Sequence, residues 1–144
     1  MLIYQLGGEA LRDDATLPQT PKQKATKTIL IVEDDADLAW TLTQFFRQET
    51  SYVTMWTHKG SEALQMMKGS RPDLLLLDYR LPDMNGLELY DQFSTDDELA
   101  SIPAILVTAN LGRLQREVGK RTMLGIDKPF DLDTLREAID TLLA

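Results

Sequence analysis

The sequence predicts a doubly wound α/β fold, a five-stranded sheet with a parallel core and helices on both faces. Three observations carry that expectation. Strand-like and helix-like segments alternate five times between residues 28 and 144, the pattern of βα units that stack into an open parallel sheet. Leu74-Leu75-Leu76-Leu77 cannot alternate in and out, so both faces of that segment need to be dry, as in the middle of such a sheet. The apolar strands also end at, or lead straight into, polar residues, and in open α/β sheets ligands bind in the crevice beyond the carboxyl ends of the strands.

Taken in order, residues 1–27 read as a flexible N-terminal extension and residues 28–144 as the folded domain. The first stretch holds Gly7-Gly8, Asp13-Asp14, Pro18, Pro21 and a polar run from Gln19 to Lys27, a composition poor in the large apolar residues that ordering requires. Leu2, Ile3 and Leu6 offer a short segment that could dock as a strand or helix. Ile29-Leu30-Ile31-Val32 is apolar and largely β-branched, a strand that stops at Glu33-Asp34-Asp35. Leu38, Leu42, Phe45 and Phe46 then recur at helical spacing, with Trp40 a further packing residue, and Asp35 is the expected N-cap. Ser51 to Thr57 alternates Val53 and Met55 against Tyr52, Thr54 and Trp56, which suits a half-exposed strand near an edge. Lys59-Gly60 turns the chain into a helix marked by Ala63, Leu64 and Met67 and ended by Gly69 and Pro72.

The leucine strand ends at Asp78, and Leu81-Pro82 with Asn85-Gly86 closes the loop that follows. Gly86 to Phe93 reads as a helix with Leu87 and Tyr90 inward, and Ser94 to Ser101 as an acidic loop in which Asp96-Asp97-Glu98 is solvated. Ile102 to Val107 is the next strand and leads into Thr108-Ala109. A helix over 111–121 sets Leu111, Leu114 and Val118 on one side, and Met123 to Ile126 is a last short strand before Lys128-Pro129. Asp131 caps the closing helix, Phe130 and Leu135 stand at the staple positions, and Leu132, Leu135, Ile139 and Leu142 line its buried face.

Composition limits the function. The chain has 144 residues, fits one domain, and carries a net charge of −8. An acidic chain argues against direct binding of nucleic acid or adhesion to an anionic membrane. No apolar run approaches the roughly 18 residues of a membrane helix, and Met1 to Leu6 lacks the basic start of a signal peptide. There are no cysteines, hence no disulfide, no thiolate metal site and no cysteine nucleophile, in keeping with a cytoplasmic setting. His58 is the single histidine and reads as a surface residue, because one His makes no metal site. Met66-Met67 and Trp40 read as packing.

The strand ends collect a different set: Glu33, Asp34 and Asp35 after the first, Asp78 after the third, Thr108 after the fourth and Lys128 after the fifth. Neighbouring strands lie about 4.8 Å apart, so these groups can share one shallow pocket. Clustered carboxylates repel and need protons, a lysine or a metal. Oxygen ligands with water left in the shell suit Mg²⁺, Asp78 could attack phosphorus as carboxylates do in aspartyl-phosphate chemistry, Lys128 could neutralise the transferring oxygens, and Thr108 could donate its hydroxyl to the same group. Each residue alone has an ordinary explanation in capping or surface solvation; their order along the chain argues for a site.

On Ile29 to Asp35, the D-x-x-L-P-x-x-x-G run from Asp78 to Gly86, Val107-Thr108-Ala109 and Lys128-Pro129-Phe130, residues 28–144 resemble the receiver domains of bacterial two-component response regulators. The resemblance implies the flavodoxin-like strand order 2-1-3-4-5. It implies that Asp78 accepts a phosphoryl group from a sensor histidine kinase or phosphotransfer protein, in a phosphorelay switch that works only on itself and is not a turnover enzyme. Asp34 and Asp78 would bind Mg²⁺ directly, Glu33 through water and Arg80 through its backbone carbonyl. Thr108 and Lys128 would contact the phosphoryl group, the bond before Pro129 would often be cis, and Arg80 and Asn110 would tune dephosphorylation. A downstream effector protein or domain would read the output, and homodimers through the face of the fourth helix, fifth strand and fifth helix fit the same pattern.

The sequence departs from that family at one place. Three residues before Lys128, where a Tyr or Phe is usual, stands Gly125, and the span from Thr108 to Lys128 is shorter than usual. Output through that face is therefore expected to be unusual, unless an aromatic ring from elsewhere fills the space above Gly125. Two alternatives remain: a phosphorylation-independent receiver-like interaction module, favoured by Gly125, and an Asp-nucleophile phosphatase, opposed by Arg80 where a second acid would stand.

Overall fold

The computed structural model describes residues 26–144; most of the extension expected over residues 1–27, with Leu2, Ile3 and Leu6, lies outside them. Five strands and five helices alternate: β1 Thr28–Val32, α1 Ala36–Glu49, β2 Val53–Thr57, α2 Gly60–Ser70, β3 Leu74–Asp78, α3 Gly86–Phe93, β4 Ala104–Thr108, α4 Leu111–Gly119, β5 Met123–Asp127 and α5 Leu132–Leu142. All four strand pairings are parallel, and the order is β2-β1-β3-β4-β5, the 2-1-3-4-5 arrangement.

Strand alternation sorts the core into two layers. Leu30, Val32, Leu75, Leu77 and Leu106 point to one face, where Ala63 and Met67 of α2, Leu87, Leu89, Tyr90 and Phe93 of α3 and Val118 of α4 cover them. Ile29, Ile31, Leu74, Leu76, Ile105 and Val107 point to the other, against Leu42 and Phe46 of α1 and Leu135 and Ile139 of α5. The four leucines of β3 are buried whichever way they point, each contributing about 1.5–3 kcal/mol of burial.

Local signals set the helix ends. Asp35 accepts from the N–H groups of Asp37 and Leu38 to begin α1, and Asp131 accepts from Asp133 N–H to begin α5. Asn85 and Glu88 form a reciprocal capping box at α3. The sequence signal N-x-x-E was present there, but Asn85-Gly86 reads more readily as a turn.

Three expectations are corrected. Gly60 is the first residue of α2 and not part of the preceding turn, while Gly69 lies within that helix; α2 ends instead on Arg71, in the left-handed region at φ 50°. Met84 packs over Gly60, where a Cβ would lie 2.6 Å from its Sδ and would require that side chain to shift. Trp40 is 66% exposed and contributes no buried packing; it faces out beside the edge strand, near Trp56. β4 begins at Ala104, two residues later than expected, and runs to Thr108. Among the described residues no helix is long and apolar enough to cross a membrane.

Candidate functional site

Parallel strands deliver Glu33, Asp78 and Lys128 to one point. β1 and β3 are neighbours with Val32 opposite Leu77, so the residues that follow, Glu33 and Asp78, emerge side by side. β5 ends opposite Thr108, and Lys128 N–H donates to the Thr108 carbonyl at 2.9 Å. The Lys128–Pro129 bond is cis. From there Lys128 Nζ lies 3.2 Å from Asp78 Oδ1 and 3.4 Å from Glu33 Oε1.

The setting is dry and negative. The side chains of Glu33 and Asp78 are 5% and 11% exposed, and that of Lys128 25%. Burial pushes Glu33 up to about 7; Asp78 adds to the rise, while the Asp35 N–H on Glu33 Oε2 and the Lys128 charge act against it. One ammonium therefore does not neutralise the pocket. Asp78 Oδ1 is taken by Lys128, and among the described residues no donor is placed on Oδ2.

The other expected residues are placed less closely. Asp34 follows Glu33 but is exposed, and among the described residues its carboxylate makes no hydrogen bond. Thr108 is buried, and its Oγ1 accepts from Asn110 N–H at 3.1 Å, which leaves its own hydroxyl hydrogen free to donate. Arg80 is exposed and bridges Asn85 across the loop after β3. Among the described residues no three acidic or histidine side chains are drawn together as a ready cation cluster: Glu33 and Asp78 meet on Lys128, and Asp34 is exposed. The donor chemistry nevertheless fits a hard dication: two buried carboxylates that share a single ammonium and a third acid at the rim.

Three further features were not legible from spacing. Asp83 Oδ1 and Oδ2 accept from the N–H groups of Gly60 and Ser61 at 2.9 and 3.0 Å, tying the loop after β3 to the start of α2. The Trp56 indole N–H donates to the Glu33 carbonyl at 2.9 Å. The space above Gly125 is taken by Leu111, whose Cδ1 a Cβ at Gly125 would strike. An aliphatic side chain, not an aromatic ring, stands there, so the departure at Gly125 keeps its meaning.

Residues 29–140 match the response regulator receiver domain family. The chain belongs to that family. Among curated relatives, this receiver is 34% identical over 117 residues to sporulation initiation phosphotransferase F of Bacillus subtilis, covering 80% of this chain and 92% of that one. It is 42% identical over 83 residues to the polar-differentiation response regulator DivK of Brucella anthropi, covering 58% of this chain and 67% of that one. Its fold matches the receiver domain of a sensor histidine kinase from Pseudomonas aeruginosa, which holds a magnesium ion in its active-site cleft, with a TM-score of 0.73, 24% identity, and coverage of 83% and 98%. The chain is thus a phosphoacceptor module of two-component signalling and not a conventional enzyme.

Proposed function

We propose that this receiver takes a phosphoryl group on Asp78 from a phosphohistidine of a sensor kinase or phosphotransfer protein. A carboxylate oxygen of Asp78 forms the new O–P bond as the N–P bond to the donor imidazole breaks, and the imidazole nitrogen keeps the bonding pair and takes a proton. The observation that carries this reading is the state of Asp78, buried at the carboxyl end of the central strand with one oxygen on Lys128 and the other without a donor among the described residues. Glu33, Asp34, Asp78 and the Arg80 carbonyl would hold Mg²⁺. When bound, the ion neutralises the clustered acids and holds a phosphoryl oxygen.

Lys128 supplies fixed positive charge at the phosphoryl oxygens, and Thr108, through its free hydroxyl hydrogen, donates to the group once it is attached. The phosphorylated state is read by an effector protein or domain in the cytoplasm, through the face of α4, β5 and α5, where Leu111 replaces the aromatic device.

The test is treatment of the full chain with acetyl phosphate, followed by intact mass. Label that needs Mg²⁺ and disappears in Asp78→Asn supports the reading. Absence of label under all conditions refutes it and favours the phosphorylation-independent interaction module.

A further inference from the structure

The acidic turn after β1 is held from the edge of the sheet. Each polar group of Glu33 has a partner. Its N–H donates to the Thr57 carbonyl at 3.0 Å. Oε2 accepts from Asp35 N–H at 3.1 Å, and Oε1 faces Lys128 Nζ at 3.4 Å. Its carbonyl accepts the Trp56 indole N–H at 2.9 Å. This last partner is unlike the others. The parallel register ends with Val32 opposite Thr57, so the carbonyl is served by a side chain reaching along the edge strand. That side chain is 44% exposed, and it is not part of either core layer.

The Glu33 carbonyl and the Asp34 N–H belong to one planar peptide unit. A donor that fixes the carbonyl therefore fixes the direction in which the chain leaves β1 and the orientation from which Asp34 starts. Asp34 needs such help, because it is exposed and among the described residues nothing hydrogen-bonds its carboxylate.

We propose that Trp56 is a positioning residue for the cation site: its indole N–H holds the Glu33–Asp34 peptide plane and so presents the Asp34 carboxylate to Mg²⁺. This rests on Asp34 being a metal ligand, as read above. Trp56 touches neither the ion nor the phosphoryl group; it acts by reducing the number of arrangements the turn must give up on binding.

The experiment uses the full chain and Mg²⁺ alone, titrated by calorimetry, with unfolding midpoints in EDTA measured in parallel. Trp56→Phe deletes the N–H and keeps a ring; 3-benzothienylalanine at position 56 keeps the bicyclic shape, with sulfur in place of N–H. Trp40→Phe is the control, since that tryptophan is also exposed and among the described residues makes no such bond. The loss of one hydrogen bond predicts Mg²⁺ affinity weaker by about three- to ten-fold in both position-56 variants, with Trp40→Phe unchanged. A lower midpoint in EDTA with unchanged Mg²⁺ affinity indicates a merely structural role and overturns the inference. If Trp56→Phe fails to fold, the benzothienyl variant decides alone. Wild-type chain that binds no Mg²⁺ removes the cation site and this inference together, whereas wild-type binding with unaltered position-56 variants removes only the inference.

Discussion

Replacing Lys128 with Met exposes the electrostatics of the site in the metal-free protein. The ammonium lies 3.2 Å from one carboxylate oxygen and 3.4 Å from another. At an effective dielectric of about 20, each contact corresponds to about 5 kcal/mol of gross attraction. Desolvation of the lysine offsets much of this, and truncating one partner of a buried pair typically costs about 3–5 kcal/mol because the remaining charge is left uncompensated. A proton can take the place of the ammonium. Glu33 is already pushed up to about 7 by burial, with Asp78 beside it, and loss of Lys128 pushes it further up.

A carboxyl raised in the folded state favours folding at pH below its unfolded value and loses that contribution as pH rises through the folded value. The expected cost of Lys128→Met is therefore about 3 kcal/mol near pH 8.5, falling to about 1 kcal/mol near pH 6, where Glu33 carries the proton. Urea unfolding of wild type and variant in EDTA at the two pH values measures it. Equal losses at both pH values, or none at either, would refute the reasoning.

Other consequences concern the supporting structure. Gly125→Ala drives a Cβ into Leu111 Cδ1 and should cost about 1–2 kcal/mol in chemical denaturation, with most of it relieved by adding Leu111→Ala, so that the double-mutant cycle shows a clear coupling. Asp83→Ala removes both acceptors at the start of α2 and should lower stability by about 0.5–2 kcal/mol, with faster hydrogen exchange at the Gly60 and Ser61 amides. Burial and then the Asp140 carboxylate at 2.5 Å push Tyr52 up to about 12. Because the neutral phenol is the favoured folded form, this contribution is present below the tyrosine's ordinary value and is lost as pH rises through about 12; ultraviolet titration of Asp140→Asn should show Tyr52 ionising at lower pH.

The residues that were legible in the sequence act through their immediate neighbours in the chain. Leu74 to Leu77 announced a central strand because the apolar run is short and stops at Asp78 and a turn, and Asp35 and Asp131 announced helix starts because a cap bonds two or three residues ahead. Glu33, Asp78 and Lys128 could be grouped because parallel strands bring their ends to a common edge. Contacts between distant segments left no such trace. Nothing in Asp83 points to the amides of residues 60 and 61, and nothing in Trp56 points to the Glu33 carbonyl. Trp40 was misjudged because helical spacing fixes an angle around the helix but not where the neighbouring sheet ends; β2 is an edge strand, and among the described residues nothing beyond it buries a ring. The filling of the space above Gly125 by Leu111 was invisible for the same reason, since it depends on where the start of α4 lies against β5.

The central claim is that the carboxylate at position 78 is the one that bears phosphorus. Borohydride reduces an aspartyl phosphate to homoserine in two steps: one hydride to the acyl carbon expels phosphate and leaves the aldehyde, and a second hydride followed by protonation gives the alcohol, so the modified residue can be located by peptide sequencing in the mass spectrometer. After treatment of the wild-type chain with acetyl phosphate and Mg²⁺, homoserine is predicted at position 78 and nowhere else. Its appearance at position 34 or 35, with Asp78 intact, would contradict the account.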